Sequence, residues 1–107
     1  KREGRLAWNY AKQLLKDRKM KPKEIREHLA EINEEAIIYD NLEEALVGIG
    51  HRFGMQGIAI YDLDKVFKCL EKELGPDITD EEVIEYFDYN VIGTWAGEHT
   101  PMFIETF

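Results

Sequence analysis

Between Leu70 and Val83 the chain stops one helix and starts another, and this punctuation constrains the fold more than any other stretch. Gly75-Pro76 is a helix stop. Just beyond it, Ile78-Thr79-Asp80-Glu81-Glu82-Val83 carries the marks of a helix start. Thr79 is a good N-cap, and Glu82, three residues on, can reach back to the cap's own N–H. Ile78 and Val83 have the spacing of a hydrophobic staple. Asp80, Glu81 and Glu82 fill a first turn whose free N–H groups favour negative charge. Before the stop, Leu63, Val66, Phe67, Leu70 and Leu74 recur at helical spacing. After the start, Ile84, Phe87, Val91 and Trp95 do the same. Gly93 or Gly97 supplies the left-handed residue that ends this second helix.

The same reading towards the N-terminus predicts a helix over residues 4–19, with Ala7, Ala11, Leu14 and Leu15 on one side and Trp8 nearby. Pro22 then opens another helix, whose stripe is Ile25, Leu29, Ile32 and Ala36. Together they make a helical hairpin over residues 1–35. Its second half also reads as part of a helix-turn-helix, but there is no glycine turn and no clear recognition face.

Two runs echo each other. Ala36–Asp40 precedes Leu42, Ala45, Leu46 and Ile49; Ile58–Asp62 precedes the stripe from Leu63 to Leu74. Each is a β-prone run ending in Tyr-Asp, followed by helical periodicity, with the Asp as cap. The first run reads equally well as the tail of the preceding helix. Pro101–Ile104 reads as a final strand. The expected fold is α+β: a helical hairpin over residues 1–35, then a body over residues 36–107 with about three short strands packed against about three helices.

With 107 residues there is room for one modest core. No apolar run approaches the roughly 18 residues of a membrane span, and no signal peptide is visible. The chain opens on Lys1 rather than Met, which reads as a trimmed or processed start. Cys69 stands alone, which excludes an intrachain disulfide and a cysteine-rich zinc site and fits a reducing cytoplasm. The chain has no serine, so nucleophilic catalysis is poorly supported.

The net charge of −8 hides an asymmetry. Residues 1–23 hold nine Lys/Arg against two acids, a balance of +7, and residues 24–107 hold five against twenty, a balance of −15. Eight carboxylates fall between Glu71 and Asp88, opposed only by Lys72. Those of the helix start (Asp80, Glu81, Glu82, Glu85 and Asp88) form the candidate partner-binding face. It reads either as a solvated surface or as a mimic of nucleic-acid phosphate charge that meets a basic groove. The basic head has Trp8 and Tyr10 interleaved. It offers Arg5, Trp8, Lys12, Lys16 and Lys19 as candidate nucleic-acid contacts by charge and stacking, although folding back onto the acidic body competes with that reading.

Gly50, His51, Arg52 and His99 form a third candidate set. Gly48, Gly50 and Gly54 around His51-Arg52 can bring a backbone near a phosphate, with Arg52 as a fork; the alternative is a helix end with left-handed glycines. The spacing matches neither phosphate-loop fingerprint. His51, Glu98 and His99 read as structural histidines rather than as a metal site, since three or four ligands must converge and the sequence fixes none of those distances. Asp62 and Asp64 resemble a magnesium pair only superficially. No metal and no cofactor is expected.

At Glu44–Gly54 (EALVGIGHRFG), Ala59–Asp62 (AIYD) and Tyr86–Pro101 (YFDYNVIGTWAGEHTP) the chain resembles a group of small bacteriophage proteins of unassigned function. The shared pattern, EEALxGxGxRFG…AIYD…FxYNVIGxWxGExTP, covers roughly residues 40–104 and leaves the basic head outside. The resemblance implies an intracellular viral accessory protein in the host cytoplasm, with no active site to carry over. The leading expectation is thus a non-enzymatic phage protein that binds and inhibits a host protein with a basic surface, plausibly a nucleic-acid-handling defence factor such as a CRISPR effector. The alternatives are a nucleotide-binding protein or hydrolase built on Gly50, His51, Arg52 and His99, and nucleic-acid binding through residues 1–23. Oligomeric state is not legible.

Overall fold

In the computed structural model, residues 20–93 and 96–107 are described. Over these residues the chain is α+β, with three α-helices, a 3-10 turn, a π turn and a three-stranded mixed sheet. The order is α1 (Pro22–Ile32), a 3-10 turn (Asp40–Ala45), β1 (Leu46–Gly50), β2 (Ile58–Asp62), α2 (Leu63–Leu74), α3 (Asp80–Phe87), a π turn (Asp88–Ile92) and β3 (Met102–Ile104). No helix among the described residues is long and apolar enough to cross a membrane. The first half of the expected hairpin, residues 4–19, lies outside the described residues; Pro22 does open its second half.

The local signals around α2 and α3 act as expected. Asp62 caps α2 by accepting from Lys65 N, and Gly75 ends it at φ 105°, where a side chain is strained. Thr79 and Glu82 form the capping box of α3. The line of α3 that reaches the core is Val83, Phe87 and Val91, in steps of four. Ile84, expected in that stripe, is 47% exposed. Both Val83 and Ile84 are apolar, so the two registers compete, and the core takes the one through Val83, which is buried with Phe87. The helix does not end on a left-handed glycine. It widens into the π turn, where Gly93 N donates to Asp88 O at 2.9 Å with φ −67°. Trp95 lies outside the described residues.

The expected strand at Ala36–Asp40 is absent, and so is the helix through Leu42–Ile49. The strand is β1 instead, antiparallel to β2, with Leu46 opposite Tyr61 and Gly50 opposite Ile58 across a bulge at Val47. Two glycines and the β-branched Val47 and Ile49 weaken a helix here, and pairing with β2 decides the outcome. A Cβ on Gly50 would come within 2.6 Å of Ile60 Cδ1, so any larger residue there displaces the Ile60 side chain. The run before it is neither strand nor helix tail. Its N–H groups go elsewhere: Ile37 N to His99 O at 3.2 Å and Tyr39 N to Tyr61 Oη at 2.9 Å. Asp40 caps nothing and pairs with Arg26 at 3.7 Å.

β3 runs parallel to β2, with Tyr61 opposite Phe103. A parallel pair needs a long crossover, and α2 with α3 supplies it. The core joins Ile25 and Leu29 of α1 with Leu42, Ala45, Leu46, Ala59, Tyr61, Val66, Leu70, Val83, Phe87 and Val91. α1 therefore shares one core with the residues after it. A chain of rings runs through this core: Phe67 against Phe87 (5.3 Å), Phe87 against Phe103 (5.0 Å), and Phe103 stacked on Tyr61 (5.7 Å). The outer side of α3 is thus carried on a rigid support.

Candidate functional site

Val83 and Phe87 bury one side of α3, and this turns Glu81, Glu85 and Asp88 outwards together. They recur at steps of four and three, so neighbouring Cβ atoms lie about 5–6 Å apart. All five expected carboxylates of the face (Asp80, Glu81, Glu82, Glu85 and Asp88) are exposed. None of them forms an ion pair with a lysine or arginine among the described residues. Glu82 is partly committed, its Oε1 accepting from Thr79 N and Oγ1. Three apolar side chains stand among these charges: Ile84, Ile92 at 54% exposed and Tyr89 at 82% exposed.

Local helix electrostatics account for only part of this arrangement. Asp80, Glu81 and Glu82 lie at the positive end of α3, where they stabilise it. Glu85 and Asp88 lie in the middle of the helical run that continues through the π turn to Ile92, where the dipole gives them no such support. Glu81 also repels Glu85, and Glu85 repels Asp88, at helical neighbour distance. Their placement works against the helix.

The second candidate set is only partly brought together. Gly50 is in β1, and Gly54 (φ 72°) is the only left-handed residue among Gly48, Gly50 and Gly54. Arg52 Nη2 donates to Glu98 O at 2.9 Å, tying the β1–β2 loop to the turn before β3. His51 is exposed and lies against Gly57, while His99 is turned towards α1. His99 Nε2 is 3.1 Å from Glu35 Oε2 and 3.6 Å from Glu98 Oε1. Its Nδ1 is 3.0 Å from Asn33 Nδ2.

Asn33, 2% exposed, was not evident from the sequence. Its amide nitrogen also donates to Gly57 O at 2.9 Å, and its Oδ1 accepts from Glu35 N at 3.1 Å. These partners fix the orientation of the amide. Its second N–H therefore points at His99 Nδ1, which accepts, and the imidazole carries its proton on Nε2, facing Glu35. With both ring nitrogens bonded, His99 is a structural clasp between the end of α1, the β1–β2 loop and the turn before β3.

Among the described residues no three His, Cys, Asp or Glu side chains are placed to hold a metal ion. Asp62 is a cap that also accepts from Thr106 Oγ1 at 3.1 Å, and Asp64 pairs with Lys68. Burial pushes the Cys69 thiol up, Glu44 adds to this and Lys72 opposes it, so the thiolate is disfavoured. Burial likewise raises the Tyr61 phenol, against the lowering effect of the Tyr39 N–H that it accepts. Arg5, Trp8, Lys12, Lys16 and Lys19 lie outside the described residues.

No protein-family model matches the chain, and no curated protein or solved structure matches it.

Proposed function

We propose that this chain is a non-catalytic accessory protein that acts by docking the outer side of α3 and the π turn onto a basic surface of another protein. The observation that carries the reading is the placement of Glu85 and Asp88. They lie beyond the first turn that the helix dipole favours and repel their neighbours, and no lysine or arginine among the described residues neutralises them. A solubilising surface needs no such concentration of like charges at helical neighbour distance. Ile84, Tyr89 and Ile92 supply apolar area among the charges, as protein-binding surfaces do.

The resemblance to small bacteriophage proteins supports a host protein as the partner. The density of carboxylates supports a partner that normally holds nucleic acid, whose phosphate-binding groove this face then blocks. An anti-CRISPR-like inhibitor is the concrete form of this proposal. Its test is competition. The chain is cross-linked to host proteins at low salt, the captured nucleic-acid-binding protein is purified, and its affinity for the chain is measured with and without its nucleic acid. Mutual exclusion, together with loss of binding when Glu81, Glu85 and Asp88 are changed to Lys, supports the proposal. Binding that survives both the charge reversal and saturating nucleic acid overturns it.

A further inference from the structure

The docking face continues onto the flank of α3, where its charges meet a groove. Resting on the docking reading above, we propose that the groove between the C-terminal end of α2 and the flank of α3 takes up an arginine side chain of the partner protein. Leu74, Ile78, Tyr86 and Tyr89 line this groove of about 400 Å³, and Glu82 and Glu85 form its acidic side.

The lining separates ligand classes. Two carboxylates exclude a phosphate or a carboxylate. Two tyrosine rings and two aliphatic side chains favour a cation that is flat and weakly hydrated. A guanidinium meets both conditions: it stacks on an aromatic face, and its fork matches a carboxylate with two parallel hydrogen bonds. An ammonium is a compact, strongly hydrated point charge and gains less from either.

The hydrogen bonds already present assign the roles. Glu82 is half committed to the helix cap, and the Asn90 amide donates to Tyr86 O at 3.1 Å. Glu85 forms no ion pair with a lysine or arginine among the described residues, and Tyr89 is mostly bare. Glu85 thus receives the fork and Tyr89 supplies the ring face. The aliphatic stem of the arginine lies along Leu74 and Ile78, as long charged side chains do on apolar surface.

The test uses the full chain and two probes, the blocked tetrapeptides Ac-Gly-Arg-Arg-Gly-NH2 and Ac-Gly-Lys-Lys-Gly-NH2, titrated at low salt while the tyrosine ring resonances are followed by NMR. The arginine peptide is expected to bind about fivefold more tightly than the lysine peptide and to shift the Tyr89 ring protons. Tyr89→Leu and Glu85→Gln should each remove most of that preference, whereas Glu71→Gln, an equal charge change on α2, should alter affinity by less than about twofold. Tyr89 and Glu85 are exposed, so both variants should keep the fold, which an unchanged melting temperature verifies.

Equal affinity for the two peptides, with Glu71→Gln as damaging as Glu85→Gln, overturns the groove assignment and leaves the docking face to its own competition test. If the full chain with Arg5, Lys12, Lys16 and Lys19 all changed to Gln binds the arginine peptide about threefold more tightly or better, the occupant is this chain's own basic head. That result overturns the assignment to a partner.

Discussion

The outer sides of α2 and α3 are built from similar residues and treat charge in opposite ways. On α2, Asp64 pairs with Lys68 at 3.2 Å in the favourable i,i+4 direction, and Lys72 reaches Glu44 at 3.7 Å. On α3 the carboxylates follow one another with no base between Asp80 and Asp88. The α2 face balances three carboxylates (Asp64, Glu71, Glu73) against three lysines (Lys65, Lys68, Lys72), and a charged second molecule has little to gain from it. The α3 face has no such balance among the described residues. A charged helix is therefore informative about partners only when its own neighbours fail to neutralise it, and composition does not show this.

The largest expected effect comes from reversing charge on each face in turn. Changing Glu81, Glu85 and Asp88 to Lys should weaken the partner complex by about 100-fold or more at low salt, because each charge then repels what it attracted. Changing Lys65, Lys68 and Lys72 to Glu should move affinity by less than about fivefold, through long-range effects alone. Surface plasmon resonance or calorimetry at two salt concentrations measures both. Equal losses from the two triple variants would erase the distinction between the faces.

The helix starts offer a second contrast. Asp62 binds both Lys65 N and the Thr106 hydroxyl and is buried, whereas Thr79 caps α3 at the surface. Asp62→Ala should therefore cost about 2 kcal/mol and Thr79→Ala about 1 kcal/mol in urea unfolding. The reverse order would mean that α3 depends on its cap more than on Val83 and Phe87.

What could be read from the sequence divides along the same physical line. Pro22, Asp62, Gly75, Thr79 and Glu82 act through neighbours within four residues, and the elements that they bound form as expected. β1 was not legible. Leu42, Ala45, Leu46 and Ile49 have helical spacing, and only pairing with Ile58–Asp62, distant in sequence, makes Leu46–Gly50 a strand. Tyr39 is extended as its residue type suggests, yet its N–H finds a side-chain oxygen of β2 rather than a ladder.

The candidate site shows the same limit. Its carboxylates are visible as a string of letters. That Ile84 stands among them follows only from whether Val83 or Ile84 enters the core, a choice that tertiary packing makes. The clasp of Asn33 and His99, 66 positions apart, gives no local signal.

A third effect is smaller and tests the repulsion on α3 directly. Raising salt from about 20 to about 300 mM should stabilise the wild-type fold by roughly 0.5 kcal/mol, since it screens like charges that no lysine or arginine among the described residues relieves. In the variant carrying Glu81→Gln, Glu85→Gln and Asp88→Asn the gain should shrink to less than half. Thermal melts at both salt concentrations measure the difference. A gain that survives intact places the repulsion elsewhere in the acidic body.

The smallest effect separates the first turn of α3 from the turns that follow it. Asp80 favours the positive end of α3, so Asp80→Asn should destabilise by about 0.3–0.5 kcal/mol. Glu85 and Asp88 repel their neighbours and gain nothing from the dipole, so Glu85→Gln and Asp88→Asn should each stabilise by about 0.2–0.5 kcal/mol. Urea unfolding with all four chains in parallel resolves the sign if not the exact size. If Glu85→Gln and Asp88→Asn raise stability and lower partner affinity together, stability has been given up at those two positions for binding. If both destabilise, the two carboxylates have structural roles, and the case for a docking face loses its main support.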